Sequence, residues 1–214
     1  MIGFKATKNG KCFNITFEPN KIYIFNGNIK LCRRGFHFCK KIEDVHEYYP
    51  LNEKNTIIFL IEIPNDAQII QSKQDSKCVT DKIKIIKKLT KKEIEKYSNG
   101  NIKFDDKGNL IYCKNYFGLE KRKYDKHGYE VYYENITGYW VKRQYDKNGN
   151  LIYYENSNGY WERYKYDKYG NKICYEDFNG YWCKRMYDKN GNEIYYENSY
   201  NEKYTISIKE GKDV

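Results

Sequence analysis

Tyr124, Tyr145, Tyr166 and Tyr187 stand 21 residues apart, and each opens a segment that begins Tyr-Asp-Lys. The unit runs close to Tyr-Asp-Lys-Asn-Gly-Asn-x-Ile-Tyr-Tyr-Glu-Asn-x-x-Gly-Tyr-Trp-x-x-Arg-x. A degenerate copy, one residue shorter, starts at Phe104. A fixed period in the range of about 20–50 residues marks a stacked array in which neighbours complete one another's structure. The repeat therefore constrains the architecture of the second half of the chain. It does not name a reaction.

Each unit carries its own turn chemistry. Residues 146–150 and 188–192 read Asp-Lys-Asn-Gly-Asn, which suits a type I turn closed by a left-handed glycine, and 167–171 is close to it. The second turn uses residues 156–159 or 135–138, again ending in glycine. Glycine reaches positive φ without steric cost. Between the turns lie short runs rich in Tyr, Trp and Ile, the composition of strands. Two strands and two turns consume one unit. Residues 103–208 are thus expected to form an all-β antiparallel meander of five hairpin units and about ten strands. The last unit departs from the pattern after Asn198, so 200–208 reads as a capping strand and 209–214 as a tail.

Alternation sorts the two faces. Ile152, Tyr154 and Asn156 share one side; Leu151, Tyr153 and Glu155 share the other. Trp140, Trp161 and Trp182 fall in step on the return strands. Equivalent positions recur every second strand, about 9.5 Å apart, too far for the indoles to stack directly. The array holds little aliphatic core, so tyrosine and tryptophan bodies and lysine stems must cover a thin sheet. Tyr139, Tyr160, Tyr181, Trp140, Trp161, Trp182, Arg143, Arg163 and Arg185 are candidate partner-binding residues, because these types are enriched at interface hot spots. The competing reading makes them structural ladders.

The first half differs in composition. Of 25 tyrosines, 21 lie in residues 101–214, together with all three tryptophans. That shift places a boundary at residues 98–103. The net charge of +10 is uneven: residues 1–100 hold 19 Lys/Arg against 11 Asp/Glu, and residues 101–214 hold 20 against 18. A basic excess suits an acidic partner or nucleic acid. An AT-rich coding sequence, which favours Lys, Asn, Ile and Tyr, produces the same bias. Lys82, Lys84, Lys87, Lys88, Lys91 and Lys92 are the sharpest cluster, either a phosphate-contacting patch or lysines that blunt a strand edge.

Residues 1–98 read as a small α+β domain. Residues 2–6, 13–17 and 56–63 suggest strands. Residues 21–24 and 28–31 suggest a hairpin about Asn26 and Gly27. Residues 42–49 have helical spacing with Pro50 as a stop, and 78–86 alternates as one strand. Thr90 and Glu93 form a capping box for a helix ending near Tyr97.

His37 and Cys39 share one side of a strand, with Cys12, Cys32 and His46 as possible companions. Zinc is one reading, but the spacing from Cys32 matches no common zinc motif. A Cys/His nucleophilic pair is another. The bland reading is a packed core, where free cysteine is at home. No catalytic residue, metal or cofactor is assigned. The seven cysteines are odd in number and contain no Cys-x-x-Cys. With no leader-like segment and no apolar run of the roughly 18 residues that span a bilayer, the expected setting is reducing and cytoplasmic, in a bacterial host cell, with no membrane partner.

Several strings carry resemblances. Gly3-Phe-Lys5, Cys12, Lys21-Ile-Tyr23, Leu31-Cys-Arg-Arg-Gly-Phe-His-Phe-Cys39, Asp44-Val45, Tyr48-Tyr49 and Asp75-Ser-Lys-Cys-Val-Thr-Asp-Lys-Ile-Lys-Ile85 occur in that order. Residues 1–92 thereby resemble a domain of unknown function found in proteins of bacteriophages and prophages, often fused to repeats. Where such domains often read Arg-Gly-Phe after the first cysteine, this chain reads Phe13-Asn-Ile15. The Tyr-Asp-x-x-Gly-Asn core resembles the tyrosine–aspartate (YD) repeats of Rhs-type bacterial proteins, and Gly-Tyr-Trp-x-x-Arg-x-Tyr resembles a tryptophan-bearing variant of MORN repeats. Both imply hairpin arrays, and neither assigns a biochemical role.

Three function classes follow. The first is a non-catalytic interaction protein of a mobile element that binds a host protein or nucleoprotein, in one version as an anti-CRISPR-like inhibitor of host immunity. The second is a nucleic-acid binder that uses the lysine cluster and stacking aromatics. The third is an enzyme acting on a host target through the His37/Cys39 region.

Overall fold

The computed structural model describes residues 1–12 and 15–206 of the chain. The expected tail at 209–214 and the end of the expected strand 200–208 lie outside the described residues, as do Phe13 and Asn14. Two compact units are present, Met1–Lys121 and Arg122–Val214.

The first unit is built on strands β1 (Ile2–Lys8), β2 (Lys11–Cys12), β3 (Ile15–Thr16), β4 (Ile22–Ile24) and β5 (Phe36–Cys39), then helix α1 (Val45–Tyr48). Strands β6 (Thr56–Glu62), β7 (Ile69–Gln71), β8 (Lys77–Thr80) and β9 (Lys82–Lys88) follow, then helix α2 (Lys91–Tyr97). The sheet order is β4-β9-β6-β1-β5-β8-β7, with β2 and β3 attached beside β1. Strand β1 lies at the centre and is buried on both faces. Its Phe4 and Ala6 join a core with Ile42, Val45, Ile58, Leu60 and Ile94. A second core gathers Phe17, Phe36, Phe38, Phe59, Ile61, Ile83 and Ile85.

The run expected as one strand over 78–86 is broken at Asp81. Three strands, β6, β1 and β5, lie between β8 and β9 in the sheet although one residue separates them in the chain. The corner is pinned: the Asp81 carbonyl accepts the Phe25 N–H at 2.7 Å, and its carboxylate accepts the Gln68 N–H at 2.8 Å. Because one bent segment supplies two non-adjacent strands, the sheet has to curl. The expected 21–31 hairpin also gives way. Strand β4 pairs antiparallel with β9, while Lys30 and Arg34 form their own small bridge. A type I′ hairpin needs both central residues left-handed; Gly27 is (φ 151°) and Asn26 is not.

Helix α2 begins as expected, with the reciprocal Thr90–Glu93 capping box in place. Helix α1 is shorter than the 42–49 pattern. The Asp44 carboxylate does not cap it. It accepts instead the backbone N–H groups of Ser76 (3.3 Å) and Tyr116 (3.2 Å).

Eleven strands then run as an antiparallel meander in chain order. They are β10 (Ile102–Phe104), β11 (Leu110–Asn115), β12 (Gly118–Tyr124), β13 (Glu130–Asn135), β14 (Trp140–Tyr145), β15 (Leu151–Asn156), β16 (Trp161–Tyr166), β17 (Lys172–Asp177), β18 (Trp182–Tyr187), β19 (Glu193–Asn198) and β20 (Lys203–Thr205). The first compact unit extends beyond the 98–103 division suggested by composition. Leu110 and Cys113 of the degenerate copy, and Ile102 just before it, are buried in the core that holds Phe4.

Within the second unit, only Val141, Cys183 and Asn198 among the described residues are buried. Most strand positions are half-exposed, as expected of a sheet one layer thick. The turns close as read: Gly149 (φ 87°) donates its N–H to the Asp146 carbonyl, and Gly159 (φ 80°) to that of Asn156. The final turn does not break down after Asn198. Asn201 (φ 64°) takes the glycine's place and β20 completes the hairpin.

Candidate functional site

Alternation along β5 puts His37 and Cys39 on one side, where Cys39 pairs opposite Phe4 of β1. They line a cleft of about 260 Å³ with Phe4, Ala6, Val45, Tyr48 and Tyr49, and with Cys32 and Lys77. His37 Nε2 is buried and has no hydrogen-bond partner among the described residues. Burial, reinforced by the charges of Lys5 and Lys77, lowers the His37 pKa, so the imidazole is neutral at neutral pH. Burial pushes the Cys39 thiol up to about 12, with Asp44 and Asp75 adding to it. A neutral imidazole beside a protonated thiol is not an activated nucleophile pair.

His46 is committed elsewhere. Its Nδ1 accepts the Leu51 N–H at 2.9 Å, which leaves Nε2 to donate to Glu120 at 3.2 Å. Among the described residues, no three His, Cys, Asp or Glu side chains come together as a metal site. All seven cysteines are free thiols. No helix is long and apolar enough to cross a membrane.

The lysine cluster is largely spent on intramolecular contacts. Lys82 pairs with Asp66, Lys84 with Glu62 at 3.2 Å, and Lys87 with Glu93. Lys91 reaches the Gly108 carbonyl and lies over the Phe104 ring. Lys88 and Lys92 have no such partner among the described residues.

The repeat candidates do not form one surface. Strand register places Trp140 opposite Glu134, Trp161 opposite Glu155 and Trp182 opposite Glu176, all on one face. Arg163, two residues after its tryptophan, shares that face. Arg143 and Arg185 come three residues after theirs and lie on the other face, opposite Tyr154 and Tyr196. Tyr139, Tyr160 and Tyr181 also lie there.

On the tyrosine face the polar groups satisfy one another. Tyr139 meets Tyr154 at 3.5 Å and Tyr181 meets Tyr196 at 3.0 Å, hydroxyl to hydroxyl. Arg143 pairs with Glu130 at 2.7 Å and Arg185 with Glu193 at 3.1 Å. Between these two sets Glu162 accepts from the hydroxyls of Tyr160, Tyr164 and Tyr175. Burial alone would raise the Glu162 pKa; the three tyrosine donors outweigh it and hold the carboxyl below its usual range. Sequence reasoning missed this cluster. Its signal was a column that reads Val141, Glu162, Cys183, apolar in the flanking units and acidic in the middle.

On the tryptophan face each indole carries a cation from two residues along its own strand. Lys142 lies 4.4 Å from the Trp140 ring centroid, Arg163 5.0 Å from Trp161, and Lys184 5.0 Å from Trp182. Among the described residues no ring contact joins two tryptophans. None of the three indole N–H groups has a partner among the described residues. Bases and acids alternate across the strands: Lys142 faces Glu155, Arg163 faces Glu176 and Lys184 faces Glu197.

Residues 1–97 match the family described as Domain of unknown function (DUF7666). This segment carries β1 to β9, both helices and the His37 cleft. No curated protein matches the chain. Among solved structures, it is similar to a chain in the Photorhabdus luminescens Tc holotoxin pore, with 14% identity and a TM-score of 0.37. The similarity covers 49% of this chain and 7% of that one.

Proposed function

We propose that the chain is a non-catalytic binding protein that engages a host-cell protein through the tryptophan face of its repeat sheet. The carrying observation is the row of half-exposed Trp140, Trp161 and Trp182, whose indole N–H groups have no partner among the described residues. A buried indole N–H usually finds an acceptor, and tryptophan is among the residues enriched at binding hot spots. The tyrosine face, by contrast, uses its polar groups internally.

Charge favours a protein over a polyanion. The three cations that lie over the indoles, Lys142, Arg163 and Lys184, each stand opposite a glutamate, so the tryptophan row itself is not a bare basic stripe of the kind that draws nucleic acid. The lysines of β9 are mostly neutralised as well. The resemblance of residues 1–92 to domains of phage and prophage proteins is what supports a host protein as the partner. An inhibitor of host immunity is one form of this reading.

The test is capture from a bacterial lysate with and without nuclease, using the wild type and two variants. The first carries Trp140→Ala, Trp161→Ala and Trp182→Ala; the second carries Tyr139→Phe and Tyr181→Phe on the opposite face. A stoichiometric protein partner that survives nuclease, is lost by the tryptophan variant and is kept by the tyrosine variant supports the reading. A partner retained by the tryptophan variant, or nucleic acid alone, overturns it.

A further inference from the structure

The first unit carries a second, more polar concavity of about 520 Å³. Three stretches of chain form it: 40–44 after β5, 71–76 leading from β7 to β8, and 101 with 114–116 at the start of the meander. Their backbones are tied to one another. The Lys40 N–H donates to the Ser76 carbonyl at 3.0 Å, and the Lys41 N–H to Ser76 Oγ at 3.1 Å. The Asp44 carboxylate joins Ser76 to Tyr116, and the Lys114 N–H donates to the Asn101 carbonyl at 2.8 Å.

Lys40, Lys41, Lys73 and Lys114 line this basin, and all four are exposed. None has a carboxylate within ion-pair distance among the described residues. Lys40 donates instead to the Gln71 amide oxygen at 2.6 Å. The carboxylates of the wall are engaged by other donors. Asp44 accepts two backbone N–H groups, Glu43 accepts the Asn101 amide at 3.0 Å, and Asp75 accepts the Lys77 N–H at 3.2 Å and the Tyr48 hydroxyl. Strand β9 differs, since its Lys82, Lys84 and Lys87 are each paired with an acid. Like charges gathered around one concavity focus the field on whatever anion enters it. Tyr116 lines the same basin with 65% of its surface exposed. Its ring is steadied by an edge contact with Phe117, 5.3 Å between centroids.

We propose that this basin binds a nucleoside polyphosphate, with the phosphate chain among Lys41, Lys73 and Lys114 and the base on the Tyr116 ring. The volume lies within the ~300–1,000 Å³ range of small-molecule sites. Lysine meets phosphate as a point charge, and an aromatic ring stacks on a base of any kind. The lysines surround a single concavity rather than forming a stripe, which suits a free nucleotide and not a strand of nucleic acid. The site is independent of the tryptophan face.

The probes are ATP, AMP, adenosine and inorganic pyrophosphate. Each is titrated by calorimetry into the whole chain at about 0.15 M salt, where exposed charges more than about 8 Å apart are largely screened. ATP is expected to saturate with Kd of about 1 mM or tighter, and affinity is expected to fall from ATP to AMP to adenosine. Lys73→Gln with Lys114→Gln is expected to weaken ATP and pyrophosphate alike, by about tenfold. Tyr116→Leu is expected to weaken ATP by about fivefold or more and to leave pyrophosphate unchanged. Lys88→Gln with Lys92→Gln, outside the basin, is expected to change neither. Every substituted side chain is exposed, and circular dichroism checks that each variant keeps the fold. No saturation by ATP, an equal loss in the Lys88 and Lys92 variant, or wild-type affinity for ATP in Tyr116→Leu overturns the proposal. An oligonucleotide that displaces ATP at lower concentration than AMP does would assign the lysines to a nucleic-acid strand and overturns it too.

Discussion

The Tyr175 hydroxyl donates to Glu162 Oε1 at 2.9 Å across the β16–β17 pair. Tyr160 and Tyr164 reach the same carboxylate, so one glutamate organises tyrosines on three sides in a unit whose neighbours place Val141 or Cys183 at that position.

Removing that hydroxyl tests whether the cluster stabilises the sheet. Tyr175→Phe is expected to cost about 1 kcal/mol, the scale of one net hydrogen bond. Glu162→Ala is expected to cost more, because it removes the acceptor from all three donors. Thermal unfolding followed by circular dichroism gives both numbers; a Glu162→Ala protein as stable as wild type would show that water replaces the cluster at no cost.

Acid should loosen the turns of the array. Asp146, Asp167 and Asp188 have carboxyls held below their usual range, first by the side-chain amides of Asn150, Asn171 and Asn192 and also by backbone N–H groups. A folded pKa below the unfolded value of about 3.9 means the contribution is complete above that value and is lost as pH falls through the folded pKa. Stability is expected to be flat from neutral pH to about 5 and to fall below about 4. Replacing all three by alanine should flatten the acid limb; an unchanged limb would assign it to other carboxylates.

Asn201 shows that the glycine position of a turn accepts asparagine, since it holds φ 64° where other units have glycine. At Gly159 (φ 80°) an added Cβ meets nothing within 4 Å. Gly159→Asn is therefore expected to lie within about 1 kcal/mol of wild type, and Gly159→Val to cost more, because β-branched residues resist the left-handed region. Equal stability of the two variants would remove backbone strain as the reason for glycine here.

Gly35 is a stricter case. Its φ is 107°, and a Cβ would lie 2.7 Å from Val79 Cγ2 and 2.9 Å from the Thr80 carbonyl oxygen. Strain and overlap coincide, so Gly35→Ala should destabilise the first unit by about 2 kcal/mol or more. A denaturant midpoint unchanged from wild type would contradict the close approach of β5 and β8.

Thiol labelling separates the cysteines. Cys32 is exposed, whereas Cys39 is buried with its thiol pushed up to about 12. At neutral pH the native protein should alkylate first at Cys32, with Cys39 reacting at the rate of unfolding or local opening. Fast labelling of Cys39, mapped by mass spectrometry, would mean that the cleft is open to solvent.

Local grammar was legible where local physics decides. The Thr90–Glu93 box and the glycine-closed turns at Gly149 and Gly159 involve residues within four positions of one another, so pattern and structure coincide. The hairpin expected at Asn26-Gly27 failed because β4 found a partner in β9, about 60 residues away by the register Ile22↔Lys84. The cleft was only half visible: His37 and Cys39 were read from their alternation, but nothing local brought Lys77, Tyr48 and Cys32 to them.

By itself the sequence determined the period, the turns, the hairpin array and the alternation that sets Trp140, Trp161 and Trp182 on a common face, because these follow from spacing and backbone preference. Tertiary structure decided that Asp81 breaks one apolar run into two distant strands and that Ile102, Leu110 and Cys113 belong to the core of the first unit. It also decided which lysines are neutralised. The physical reason is range: a turn is stabilised by neighbours in the chain, whereas burial, ion pairing and strand order depend on groups that meet only when the chain has folded.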